Sequence, residues 1–168
     1  QGISTFTNSG SGQLLFGNVN PDTWNSDVTF SNLGTHYIYL CWNSTGNIFN
    51  GNISLNSSVS ALGIQFCSGA AATATISAGN AISTGSYNGG YLILQRITQL
   101  GTAPNNLTLT STASYLRFGP SSSLGGNVVS ISPGLFFNGC NFNGTTDCTK
   151  TGASGDYSLG GNVFGGLS

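Results

Sequence analysis

The side chains that could carry charge or move a proton are few: Asp22, Asp27, Asp147, Asp156, Arg96, Arg117, Lys150 and His36. Hydrolysis by paired carboxylates needs two acids facing one cleft. Asp22 and Asp27 instead flank one turn, and Asp147 and Asp156 lie in a glycine-rich tail. A Ser–His–Asp triad could use His36 alone. His36 opens an apolar run directly after the turn Asn32-Leu33-Gly34-Thr35, which favours a structural role. Neither a nucleophile elbow nor a phosphate-binding loop occurs. The inventory predicts no enzyme and no cofactor. Arg96 and Arg117 each interrupt an apolar run; they are expected on a solvent face or beside a carboxylate, with no function assigned.

The four cysteines, Cys41, Cys67, Cys140 and Cys148, offer a second kind of chemistry. Four cysteines allow three pairings. Cys140 and Cys148 bound the loop GCNFNGTTDC, and Cys41 and Cys67 each end an apolar run, so disulfides 41–67 and 140–148 are expected. The alternative is a zinc site, which lacks a CxxC pair and a second histidine. Five N-x-[ST] sequons, at Asn43, Asn52, Asn56, Asn106 and Asn143, are either chance products of an Asn/Ser/Thr-rich chain or acceptors for N-linked glycans. Cysteines and sequons together point to a secreted, extracellular protein.

Charged residues make up 4% of the 168 residues, against about 25% in ordinary soluble domains. Three basic residues cannot neutralise a phosphate backbone, so nucleic acid is not an expected partner. No apolar run approaches the roughly 20 residues that cross a bilayer, so no membrane partner is expected either. A surface so near neutrality lacks the self-repulsion that keeps proteins apart, which favours self-association. The first residue, Gln1, suits a processed mature terminus.

These residues must be positioned by strands. The 26 glycines interrupt every window of helical length. β-Branched and aromatic runs bounded by Gly, Asn and Ser predict about ten strands. Expected strands are 13–16, 28–31, 37–42, 52–55, 62–67, 72–77, 91–100, 107–112, 115–118, 127–131 and 135–137. Turn signals between them argue for an all-β protein with a single β-sandwich or jelly-roll domain. YIYLCW, residues 37–42, is apolar on both faces and reads as a central strand. No repeat period is apparent.

Residues 11–46, SGQLLFGNVNPDTWNSDVTFSNLGTHYIYLCWNSTG, resemble the opening of TasA/camelysin-like proteins. These are the matrix-fibre subunits of bacterial biofilms and their archaeal bundling-pilus relatives, including thread-type pilins. Pro21–Asp22 stands at the family's turn, followed by VTFSNLG and YIYLCW; the glycine between Pro and Asp is missing. The resemblance implies a head-to-tail homopolymer of identical subunits, a pilus or matrix fibre for adhesion and cell–cell association, with lateral bundling. Each sandwich would be completed by a donor strand from its neighbour. Residues 1–12 would supply donor strand and hinge, and 13–168 the pilin domain. The donor residues would be Ile3, Ser4, Thr5, Phe6 and Thr7, ahead of the hinge NSGSG. The alternative function is a receptor- or glycan-binding head of a viral or phage fibre. There Trp24, Trp42, Tyr87 and Tyr91 would stack on sugar.

Overall fold

The computed structural model describes residues 2–101, 107–110, 115–153 and 155–165. The chain winds into a parallel β-solenoid of about six turns. Three seven-stranded sheets run along its length. Sheet A stacks Ser4–Asn8, Val28–Asn32, Ile53–Ser57, Ile82–Tyr87, Leu107–Thr110, Val128–Ser132 and Thr146–Lys150. Sheet B stacks Leu14–Leu15, Tyr37–Leu40, Gly63–Phe66, Tyr91–Leu94, Tyr115–Phe118, Leu135–Phe137 and Tyr157–Ser158. Sheet C stacks Thr23–Trp24, Asn47–Phe49, Ala74–Ile76, Ile97–Gln99, Ser122–Leu124, Cys140–Phe142 and Val163–Phe164.

This corrects the β-sandwich or jelly-roll expectation, including its completion by a neighbour's donor strand. Alternating strands bounded by turn residues are common to both architectures. What separates them is the partner of each strand. Here Val28–Asn32 pairs in parallel with Ile53–Ser57, one turn further along the chain, and not with the next strand across a hairpin. The Gly/Asn/Ser clusters are therefore corners between sheets. Ser4–Asn8 pairs in parallel with Val28–Asn32 of the same chain, with Phe6 opposite Phe30. Asn8 is buried and closes the following corner: its Oδ1 accepts from Gly10 N at 3.2 Å and its Nδ2 donates to Gly12 O at 3.1 Å.

A repeat is present after all. Its clearest trace lies in sheet B, where Tyr37-Ile38-Tyr39-Leu40, Gly63-Ile64-Gln65-Phe66, Tyr91-Leu92-Ile93-Leu94 and Tyr115-Leu116-Arg117-Phe118 lie in register. The interval between paired residues varies, from 30 residues (Ser57 to Tyr87) to 18 (Val128 to Thr146).

Alternate side chains of each strand enter the core in columns. Ile38, Ile64, Leu92 and Leu116 form one in sheet B, all fully buried. Strands in such sheets sit about 4.7–4.9 Å apart, so aromatic rings in one column can stack. Trp24 lies on Phe49 at 4.2 Å and 4°, and Phe142 on Phe164 at 4.9 Å and 2°. The same stacking explains the scarcity of charge. A charge repeated down a column would meet its like at roughly 5 Å, which is destabilising.

The corner from sheet B to sheet C needs a left-handed residue. Gly17 (φ 59°), Cys41 (58°) and Cys67 (48°) supply it in the first three coils. Buried amides then tie coil to coil. Asn32 Nδ2 donates to Gly63 O at 2.8 Å, and Asn47 Nδ2 to Thr73 O at 3.0 Å while its Oδ1 accepts from Asp22 N at 2.9 Å. Such satisfied polar groups specify register where an apolar contact would not.

Candidate functional site

In the sheet B strands, the residues that alternate with the core-facing ones point outward. Their stacking makes two outer columns. Tyr37, Gly63, Tyr91 and Tyr115 form the first. Tyr39, Gln65, Ile93, Arg117, Phe136 and Tyr157 form the second. Between them runs a groove of about 520 Å³, lined by Tyr37, Tyr91, Ile93, Tyr115, Arg117, Phe136 and Tyr157. That volume is typical of sites for small ligands. By contrast, Thr5, Thr29, Ser54, Ser83 and Thr108 form one outer column of sheet A, where hydroxyls predominate.

The groove walls are rings held by other rings. Tyr91 stacks on Tyr115 at 5.4 Å and 14°, Tyr115 meets Phe136 edge-on at 4.8 Å, and Phe136 meets Tyr157 at 4.3 Å. Gly63 places no side chain between Tyr37 and Tyr91. Its φ of 126° and the approach of the Tyr91 backbone, 1.8 Å from any added Cβ, require glycine there. Burial raises the Tyr37 hydroxyl's pKa, with the neighbouring Tyr39 and Tyr91 hydroxyls adding to it; burial alone raises that of Tyr39. Both therefore remain protonated donors at neutral pH.

The four aspartates stand at separate places in the coil. Asp22 accepts from Gly17 N at 2.6 Å, and Asp27 from Asn52 N at 2.8 Å. Asp156 accepts from Leu135 N at 2.7 Å and pairs with Lys150 at 2.6 Å. Those contacts hold its carboxyl below the usual range, the Lys150 hydrogen bond foremost. Asp147 stands on sheet A opposite Val129. His36 Nδ1 accepts from Tyr37 N at 2.9 Å. Among the described residues no three His, Cys, Asp or Glu side chains gather where a metal ion could be held.

Cys41 and Cys67 occupy equivalent corners of successive coils, where Cys67 N donates to Leu40 O at 2.8 Å. Cys140 lies in sheet C and Cys148 in sheet A, and all four cysteines are thiols in the structure. Burial pushes Cys140 up to about 12 and Cys41 well above its ordinary value. Asn43 is exposed. Asn52, Asn56 and Asn143 spend their amides on links between coils, to Asp27, Ser31 and Ser123 respectively. Asn106 lies outside the described residues. Of the donor-strand residues, Ile3 is 68% exposed and Ser4, Thr5 and Thr7 are exposed, while Phe6 packs on Phe30 at 5.6 Å.

Of the four aromatics proposed to stack on sugar, Tyr91 alone lines the groove. Trp24 and Tyr87 are buried, and Trp42 lies half-buried against Tyr39 at 4.2 Å. Sequence reasoning missed Tyr37, Tyr115, Arg117, Phe136 and Tyr157. The signal was available in the recurring tetrad, whose first and third positions form the outer columns. Comparison with protein-family models, curated proteins and solved structures returns no match.

Proposed function

We propose that the chain is a saccharide-binding adhesion module of an extracellular surface structure, a solenoid that presents its sheet B groove to glycans. The observation that carries this reading is the gap at Gly63 between Tyr37 and Tyr91. Two strand steps separate those residues, about 9.5 Å. Carbon contacts of about 3.5–4.0 Å on each side leave roughly 2 Å for the pucker of a saturated ring. A flat ring would underfill that space. Tyrosines join an apolar ring face to a hydroxyl donor, the combination that a sugar's C–H face and hydroxyl rim require. Glycan-array binding followed by calorimetry tests the reading. Tyr91→Ala should weaken binding about tenfold or more with unchanged circular dichroism. Failure of every glycan to bind would overturn it.

A second reading is a filament of solenoids stacked end to end. Strand Ser4–Asn8 pairs on one side only among the described residues. Beside it, Phe6, Phe16 and Trp24 line a hollow of about 320 Å³. Aromatic core left half-covered at an open sheet edge is suited to another coil. Filaments in electron micrographs would support this reading, and discrete particles at all concentrations would refute it.

A further inference from the structure

Arg117 sits within the aromatic groove, in register with Ile93 on one side and Phe136 on the other. It is half-buried. A guanidinium offers five donors in a planar fork and normally finds a carboxylate or carbonyl when removed from water. Arg117 has no hydrogen bond and no ion pair among the described residues. Asp156, just ahead of the sheet B strand Tyr157–Ser158, is already committed to Lys150 and to Leu135 N. Asp22 and Asp27 are engaged at corners with Gly17 and Asn52, and Asp147 belongs to the outer face of sheet A. The other arginine, Arg96, is satisfied: its Nη1 donates to Cys67 O. The groove thus combines ring faces, tyrosine hydroxyls and one cation without an internal counter-charge.

We propose that Arg117 makes this groove selective for anionic saccharides, its guanidinium taking the carboxylate or sulfate of a sugar whose ring lies against the tyrosines. This inference rests on the saccharide-binding reading. An anion on the sugar supplies the fork with its two acceptors. The surrounding rings lower the local dielectric and strengthen that contact relative to one on an open surface. Neutral sugars would occupy the same groove but leave the guanidinium as it is in the free protein. The charge-assisted contact should therefore appear as added affinity and as salt dependence.

The test is calorimetric titration of the intact chain with trigalacturonate, with its fully methyl-esterified and hence uncharged form, and with a sulfated galactose trisaccharide. The wild-type protein should bind at least one anionic trisaccharide about tenfold or more tightly than the ester. Arg117→Ala should abolish that preference, bringing the affinities for the anionic and the esterified sugars to within about twofold of each other. Arg117→Lys, which keeps the charge and loses the fork, should retain part of it. Which anionic sugar carries the preference distinguishes carboxylate from sulfate. Melting curves of both variants report whether the fold is kept, and the lysine variant serves if the alanine one is unstable. Equal affinity for anionic and esterified sugars would overturn the role of Arg117 and leave the groove reading intact. Failure of all three to bind, with a glycan array also blank, would overturn both.

Discussion

Tyr37 and Tyr91 occupy the same outer column of sheet B two coils apart, with Gly63 alone between them. The left-handed backbone and the closeness of the Tyr91 backbone exclude any side chain at position 63. Fold and groove therefore depend on the same glycine. The slot follows from the way this coil makes its turn into sheet B, where Asn32 Nδ2 bonds Gly63 O and Tyr87 Oη accepts from Ile64 N at 2.8 Å.

Removing a central ring should show how the early coils are held. Phe30 is fully buried and contacts Phe6, Phe16 and Trp24 at 5.6, 5.4 and 6.0 Å. Phe30→Ala should lower stability by about 3–5 kcal/mol, measured by denaturant unfolding. Phe164→Ala, at a ring 58% exposed, should cost much less.

Asn47 tests the polar ties between coils. Its amide bonds Asp22 N, Ser44 and Thr73 O from a fully buried position. Asn47→Ala strands those groups, each at a cost of about 1–3 kcal/mol. Amide hydrogen exchange should quicken at Asp22, whose N–H loses its acceptor. Unchanged exchange there would refute the assignment.

Alkaline pH should destabilise the fold. Burial raises the Tyr87 hydroxyl far above its ordinary value and pushes Cys140 up to about 12. In the unfolded chain these groups ionise near about 10 and 8.5. Above those values the unfolded state sheds protons that the folded state keeps, so stability is intact below about pH 8.5 and falls as pH rises further. Melting temperature followed from pH 7 to 11 should decline, and Tyr87→Phe should make the decline shallower above pH 10.

Mild oxidation should join Cys41 to Cys67. Adjacent strand positions lie about 4.7–4.9 Å apart, inside the usual Cα span of a disulfide. Cys67 N donates to Leu40 O at 2.8 Å, which sets the two corners side by side. Peptide mapping after oxidation should recover a 41–67 crosslink. Labelling of both thiols after denaturation of oxidised protein would contradict this.

Strands were legible where apolar residues were dense. Tyr37–Leu40, Tyr115–Phe118 and Leu135–Phe137 lie within or match the expected runs, because alternation with β-branched and aromatic residues is a local signal. The run 91–100 is broken by a corner at Gln95–Arg96, where Arg96 takes φ 52°. Short sheet C strands such as Thr23–Trp24 and Ser122–Leu124 carry too little pattern to stand out. Their pairing was illegible because turn residues look alike in a hairpin and at a solenoid corner. Variation in coil length hid the repeat, and core positions exchange Phe30 for Leu55 in one column. YIYLCW looked central because Tyr37 and Tyr39 are aromatic; their outward column instead belongs to the groove face. Arg117 looked like an interruption of a strand, and only its place between Ile93 and Phe136 gives it a setting.

The most direct test of the saccharide groove is an NMR titration of protein labelled in its tyrosine rings, using the tightest glycan from an array. Ring resonances of Tyr37, Tyr91, Tyr115 and Tyr157 should shift, while the buried ring of Tyr87 stays unmoved. Binding that leaves those four unperturbed, or that shifts sheet A residues instead, would contradict the account.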